Sequence, residues 1–432
     1  MELGTPSPSL PFRSSPTSLE GRRETWQQEL REAPASIEEL EQLGVLTSSE
    51  VQTLRELGLA DRSRLRVPLS TLRLMDQGNP ECPIRLQSLP STRELDPVLP
   101  EAIRTLSERA YGRPLPWTPD PIGDLDRLAS PRLTHRYGNR ALLHFSSSCA
   151  LYCRFCFRKE HLSASEEALY SGSFDEAFRY LSSAPEVREL ILTGGDPLTH
   201  VDSRLGLFLD RVARELPAIR TVRLHSRMAS SLPSRLTPAL AATLGEERGF
   251  AVHFVSHFNH PLELTAEARA GLRRLARAGV TLWNQNVLLR GVNADETVLE
   301  SLYQSLYETG VAPYYLHHPD WTPGTFGFRV SIEEGRRIVR ALKGRLPGPA
   351  VPDYVLDLPG GFGKVPLLDT ERVKRLEADD FTWSLSAGEA KAYGLPPQAK
   401  GRARLYSILP PMTRHSSARS EERVLALDLS VL

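Results

Sequence analysis

Three cysteines, Cys149, Cys153 and Cys156, stand in CxxxCxxC spacing within HFSSSCALYCRFCFRKE, in a chain of 432 residues with only 4 cysteines. Thiolates this close can converge on one soft metal centre. Three ligands suit an incomplete cage: a [4Fe–4S] cube held by three cysteines leaves one iron free to bind a small molecule, whereas a closed zinc site wants four ligands. A zinc knuckle, a disulfide pair and a four-cysteine electron-transfer cluster recruiting Cys82 are the other readings of this spacing. Cys82 lies far upstream in GNPECPIRLQ with no second cysteine nearby, as an ordinary thiol would. A second string, ILTGGDPL, carries Gly194, Gly195 and Asp196. Two glycines let the backbone approach a ligand closely, and exposed main-chain groups beside a carboxylate can hold an ammonium group; an ordinary turn is the alternative. A third, DLPGGFGKVPL, sets Lys364 after a glycine-rich loop. Its amine becomes a nucleophile toward aldehydes once its surroundings lower its pKa, and the usual aldehyde partner is pyridoxal phosphate (PLP); a solvated surface lysine is the alternative.

The elements that must position these groups are short β-like runs alternating with amphipathic stretches. The runs are ALLHFSS at 141, ELILTGG at 189, TVRLHS at 221, AVHFVSHF at 251, TLWNQNVLL at 281, APYYLHH at 312 and DYVLDLP at 353; LTAEARAGLRRLARAG and SIEEGRRIVRALKG are two of the helical stretches between them. Strands recurring about every thirty residues with helices between them are βαβ units, hence a parallel α/β sheet, open or closed into a barrel. Most of the candidate polar residues fall at the carboxyl ends of those runs, where such folds place their active sites.

Residues 1–19 are rich in Ser and Pro and read as a disordered tail. Residues 20–128 read as a helical N-terminal region, with Ser or Thr before acidic first turns, followed by a Pro-dense connector. The α/β core spans 129–368, and 369–432 form a polar C-terminal extension. Lys+Arg and Asp+Glu both number 53, so no global field favours nucleic acid or an anionic membrane. No signal peptide and no apolar run long enough to cross a bilayer are present, which predicts a cytoplasmic protein.

Taken in order, THRYGNR, CxxxCRxCFR, LTGGDPL, HFNHP, NQNVLLRGVN, PYYLHHPD and DLPGGFGKVP resemble the lysine 2,3-aminomutases from about Asp76 to Leu368. These are radical S-adenosylmethionine (SAM) enzymes that also use PLP. The resemblance implies an open, partial (β/α) barrel in which Cys149, Cys153 and Cys156 bind the [4Fe–4S] cluster and Lys364 carries PLP. Arg136 and Arg140 match the positions that hold the PLP phosphate, with Tyr137 between them packing on the cofactor. Gly194, Gly195, Asp196, His257 and Gln285 match the SAM-contacting positions; a satisfied core histidine is the alternative for His257. Arg158 matches the arginine that pairs the substrate carboxylate, and Asp320 and Asp357 match the two carboxylates that grip the distal ammonium of lysine. The expected reaction takes hydrogen from C3 of lysine and moves its 2-amino group there, giving β-lysine. An external electron donor such as flavodoxin or ferredoxin, a homo-oligomeric state and no nucleic-acid or membrane partner are further expectations.

Two acidic groups around one amine neutralise its charge in a partly buried site, whereas a glutamate-specific relative needs a cationic or amide contact there. The two aspartates therefore favour a long diamino acid. The rivals are an arginine, ornithine or glutamate aminomutase, the shorter lysine aminomutase that serves elongation factor P, and, from a different class, a non-enzymatic iron–sulfur protein. The chain also departs from the family pattern. No cysteine follows Cys156, so the intersubunit zinc site of clostridial-type members cannot exist in that form, and Asp295 stands at one of its positions. His317 and His318 replace more usual aromatic and polar residues after PYY. GTFGFRV lacks the acidic and histidine pair that commonly precedes FR, and Phe362 replaces a glycine.

Overall fold

Ten strands form one open sheet in chain order: β1 (Leu128–Ser130), β2 (Leu133–Tyr137), β3 (Arg140–Ser146), β4 (Glu189–Gly194), β5 (Thr221–Ser226), β6 (Ala251–Ser256), β7 (Thr281–Val287), β8 (Ala312–His317), β9 (Asp353–Leu358) and β10 (Gly363–Pro366). The structure is a computed structural model that describes residues 25–60, 62, 64–96, 120–163, 169–320, 322–358 and 363–368, and the backbone of Thr382–Leu385 and Gly401–Arg404. The N-terminal tail 1–19, the glycine-rich loop 359–362 with Phe362, and the rest of the C-terminal extension lie outside the described residues.

All seven β-like runs are strands, β3 to β9, and all are mutually parallel. Three strands of this sheet were not expected. β1 and β2 lie within the stretch read as a connector, and β10 lies where a loop was expected. All three are short, antiparallel and at the sheet margins, where turn residues and prolines interrupt the alternation that marks a strand.

Period-2 alternation gives the central strands two different faces. Leu190 and Leu192 of β4, Val222 and Leu224 of β5, Val252 and Phe254 of β6, and Leu316 of β8 are buried in the main apolar core. Burying each such side chain contributes about 1.5–3 kcal/mol. That core includes one face of each covering helix, among them Ala266–Arg277 and Ile332–Lys343, whose first turns are capped by Thr265 and Ser331. The alternate residues, Arg223, His225, Val255, His257, Gln285, Tyr315 and His317, line a cavity on the other face. The architecture is thus an α/β open partial barrel whose inner face is left for ligands.

Helices α1 (Trp26–Glu32), α2 (Ile37–Gln42), α3 (Ser48–Glu56), α4 (Leu69–Leu72) and α5 (Pro83–Ser88) precede the sheet. Much of this region is gathered in a second apolar cluster that also takes in Leu151 and touches Cys153, so it packs directly on the cysteine loop. Cys82 is buried and free at the start of α5. Asp295 caps the helix Glu296–Glu308 by accepting from the amides of Thr297 and Val298. Among the described residues, no helix is long and apolar enough to cross a membrane.

Candidate active site

The inner cavity has a volume of about 390 Å³, within the range of small-molecule sites. Every residue expected at the site lines it.

The loop after β3 presents Cys149, Cys153 and Cys156 to the cavity as free thiols. Burial and the neighbouring carboxylate and thiols push Cys149 well up, and burial and Cys153 push Cys156 up to about 11. Iron binding must therefore displace protons from these thiols. Among the described residues, no three His, Cys, Asp or Glu side chains converge as a single metal ion would require. Three thiols on one loop are a donor set that suits a cube, with each thiolate on a different iron.

The glycines of LTGGDPL serve this loop first. Gly194 sits at φ +111°, and a side chain on either glycine would collide with the carbonyl oxygens of Ser146 or Ser148. The Gly195 amide donates to Ser146 O at 2.5 Å and that of Asp196 to Ser148 O at 2.8 Å. These amides are thus committed within the protein and are not the exposed donors expected from the sequence. The Asp196 carboxylate accepts from the Leu198 amide, Ser226 Oγ and the Arg227 amide. Two strand ends and the cysteine loop are locked together in this way.

Arg227, immediately after β5, was not singled out from the sequence. It is buried and donates from Nη1 to Cys153 Sγ at 2.6 Å and from Nη2 to Gln87 Oε1 and Glu263 Oε1. A fixed cation beside one thiolate favours the electron-rich form of whatever centre that thiolate holds. His257 donates from Nε2 to Asn259 Oδ1, since burial and Arg227 hold the ring neutral, which leaves Nδ1 as an acceptor. It is both a held core histidine and a cavity-lining one. Gln285 follows on the next strand.

On the cavity wall one carboxylate organises two arginines. Asp124 Oδ2 accepts from Arg158 Nε at 3.1 Å and Nη2 at 2.8 Å, while its Oδ1 accepts from Arg136 Nη2 at 3.2 Å. Burial alone would raise Asp124; Arg158 and Arg136 outweigh it and bring it down to about 2. The sequence left Asp124 in the connector, because its partners lie 12 and 34 residues away. Arg136 Nε is buried without a partner, and Arg140 lies over the Tyr137 ring at 3.7 Å.

Lys364, also on the cavity wall, stands directly opposite Asp357 in the β9–β10 register, with Nζ 2.7 Å from Oδ1. Lys364 was expected after a glycine-rich loop, with a lowered pKa. Burial does press its pKa down, but the Asp357 carboxylate prevails and leaves it raised. Asp357 also accepts from His317 Nδ1 at 3.0 Å, and these two partners overcome burial and hold it well below the usual carboxylate range. Asp320 follows β8, and no hydrogen bond reaches its carboxylate among the described residues. Burial and the Asp357 charge push it up to about 7. His225 was likewise not singled out; it lines the cavity with its Nε2 buried and unpartnered.

These residues fit three groups. The thiols suit an iron–sulfur cube, the neighbouring strand ends with His257 and Gln285 suit a polar ligand beside it, and Lys364 with the Arg136 and Arg140 guanidinium groups suits an aldehyde bearing a phosphate.

Residues 137–229 match the family model of a 4Fe-4S single cluster domain, a span holding the three cysteines, Gly194, Gly195 and Asp196. The L-lysine 2,3-aminomutase of Acetoanaerobium sticklandii is 34% identical over 343 residues, 79% of this chain and 78% of that protein. The L-lysine 2,3-aminomutase of Escherichia coli is 34% identical over 345 residues, 80% and 95% respectively. The glutamate 2,3-aminomutase of Clostridioides difficile is 31% identical over 353 residues, 81% and 78%. Fold and site together define a radical SAM enzyme built around a [4Fe–4S] cluster. The chain belongs to the lysine 2,3-aminomutase family and is an isomerase, and the cofactors of that family are the cluster, SAM and, in the lysine aminomutases, PLP.

Proposed function

We propose that this protein converts L-lysine to β-lysine by moving the 2-amino group to C3. The observation that carries this reading is the two carboxylates Asp320 and Asp357, close enough for the charge of one to raise the other, in the cavity that the three cysteines also line. When bound, the cluster and SAM supply a carbon-centred radical that takes and returns hydrogen, and PLP supplies the electron sink through which nitrogen migrates.

The protein's own residues bind, orient and exclude water. Cys149, Cys153 and Cys156 hold the cluster; Gly194, Gly195, Asp196, His257 and Gln285 form the wall for SAM. Lys364 attaches PLP while Arg136 and Arg140 take its phosphate beside Tyr137. Arg158 receives the α-carboxylate of the substrate, its guanidinium already aimed by Asp124. Lys364 is the present partner of Asp357; joined to PLP it would not bring that carboxylate its charge, which would leave Asp357 to meet the distal ammonium of an incoming lysine. Glutamate would bring a third carboxylate to Asp320 and Asp357 and be repelled. An external one-electron donor such as flavodoxin or ferredoxin would reduce the cluster, and the working form is a homo-oligomer in the cytoplasm.

The test is anaerobic incubation of the reconstituted, reduced protein with SAM, PLP and isotopically labelled L-lysine, arginine, ornithine or glutamate, followed by chromatography. β-Lysine is the expected dominant product. SAM cleavage with lysine left untouched would retain the class and remove the substrate assignment.

A pH dependence follows from Asp320. Below pH 7 it carries a proton and offers an ammonium only half of the paired charge; above pH 7 it is ionised. Lysine binding therefore releases a proton near neutrality, and affinity strengthens as pH rises from 6 to 8, by at most about tenfold per pH unit. KM measured across this range should fall accordingly, and Asp320→Asn should flatten the profile.

A further inference from the structure

We propose that Asp96, in the N-terminal region, is a positioning residue for lysine: through the Gly324 amide it holds the loop that carries Asp320. This role rests on the lysine reading above and gives the N-terminal region a part in choosing the substrate.

Asp320 follows the end of β8. Among the described residues no hydrogen bond reaches its carboxylate, so where that carboxylate stands is set by its own backbone. Ahead of it the chain is fixed: the His318 amide donates to Val355 O, and Arg329 Nη1 donates to Pro319 O. Beyond it the hold comes from Asp96. The Gly324 amide donates to both Asp96 oxygens, at 2.8 Å and 2.9 Å. The next residue, Thr325, lines the cavity, and its Oγ1 lies 2.7 Å from Thr322 O and 3.3 Å from Asp320 O. Asp96 therefore reaches Asp320 through one amide and one hydroxyl. Asp96 is itself anchored by Arg62, whose Nη2 lies 2.6 Å from Oδ2 and whose Nη1 donates to Glu94 O.

The loop is shaped for this seat. Gly324 takes φ +72°, and a Cβ there would stand 2.6 Å from Lys159 Nζ and 3.4 Å from Glu94 O. A Cβ on Gly327 would collide with Arg93 O. Two residues before Asp96, Glu94 holds Arg154 in the cysteine loop. One short segment thus braces both the loop of the cluster ligands and the loop of Asp320, and spaces one from the other. A charge-assisted hydrogen bond to an ammonium weakens steeply when its carboxylate moves by about 1 Å, so a loosened loop costs affinity at the amine end of the substrate alone.

The experiment uses the full-length protein loaded with PLP at pH 8, where Asp320 is ionised, and reads equilibrium binding of L-lysine and L-norleucine from the change in the absorbance of bound PLP. Norleucine has the same chain without the distal ammonium. Parent, Asp96→Ala, Asp96→Asn and Gly324→Ala are compared. In Asp96→Ala lysine affinity should fall about tenfold while norleucine affinity and iron content after reconstitution stay constant, because the Glu94–Arg154 pair is intact. Asparagine keeps an oxygen for the Gly324 amide and should hold lysine affinity within about threefold of the parent. Gly324→Ala disturbs the same seat from the loop side and should repeat the alanine result; it decides the matter if Asp96→Ala does not fold. Parental lysine affinity in Asp96→Ala would overturn the proposal, as would parallel losses for lysine and norleucine. An asparagine variant as weak as the alanine one would also overturn it, since the charge and not the amide contact would then be the cause. A parent that does not favour lysine over norleucine is a separate result: it removes the lysine reading itself.

Discussion

Glu94→Ala will destabilise the protein by about 3–5 kcal/mol, the scale on which breaking a buried ion pair acts. Glu94 is fully buried and accepts from Arg154 through both oxygens, at 2.8 Å from Nε and 2.5 Å from Nη2. Lys159 Nζ stands 3.9 Å from the same carboxylate. Removing the carboxylate leaves a buried guanidinium and a buried ammonium facing each other. Arg154 lies between Cys153 and Cys156, and its amide donates to Gln87 O, so the pair ties the helical N-terminal region to the cysteine loop. The variant should therefore show a lowered urea midpoint and a lower iron content after reconstitution. Glu94→Leu combined with Arg154→Met should recover part of the stability, because packed apolar side chains replace such a pair at little cost. A change below about 1 kcal/mol in Glu94→Ala would mean that water reaches this pair.

The contrast between what the sequence disclosed and what it withheld follows from the range of the interactions. The parallel strands were legible because each is a local apolar run, and the cavity-facing residues sit at their ends or on alternate positions. The cysteines and Lys364 were legible because their chemistry is rare and their spacing local. Asp124 was not, since nothing in DPIGDLD marks one aspartate as the partner of Arg136 and Arg158. Arg227 was closer to legible: it follows a strand end, as active-site residues do, but its contact with Cys153 spans 74 residues. The state of Lys364 was the subtlest miss. A lysine in a buried setting is expected to lose its proton readily, and only the β9–β10 register, with Asp357 opposite, reverses that direction.

Register also makes Lys364 the position where substitution has its largest effect on turnover. Lys364→Ala should lose PLP on gel filtration and reduce aminomutase activity on the order of a thousandfold or more, as removal of a nucleophile does. Two causes are mixed in that variant, because it also strips Asp357 of its cation and leaves only His317 beside a buried carboxylate. Asp357 would then move up from its depressed pKa, and part of the loss could reflect a rearranged site. Lys364→Arg separates the two. A guanidinium keeps the charge opposite Asp357 but does not react with an aldehyde at neutral pH. If covalent attachment is the role of Lys364, the arginine variant keeps parental stability and iron content yet still releases PLP and remains inactive. If the ion pair is what matters, the arginine variant recovers turnover and the attachment role falls. The comparison also bears on the distal subsite: in the arginine variant Asp357 stays paired, so lysine should bind more weakly than to the PLP-loaded parent, in which Lys364 has given up its charge and the carboxylate is free for the substrate.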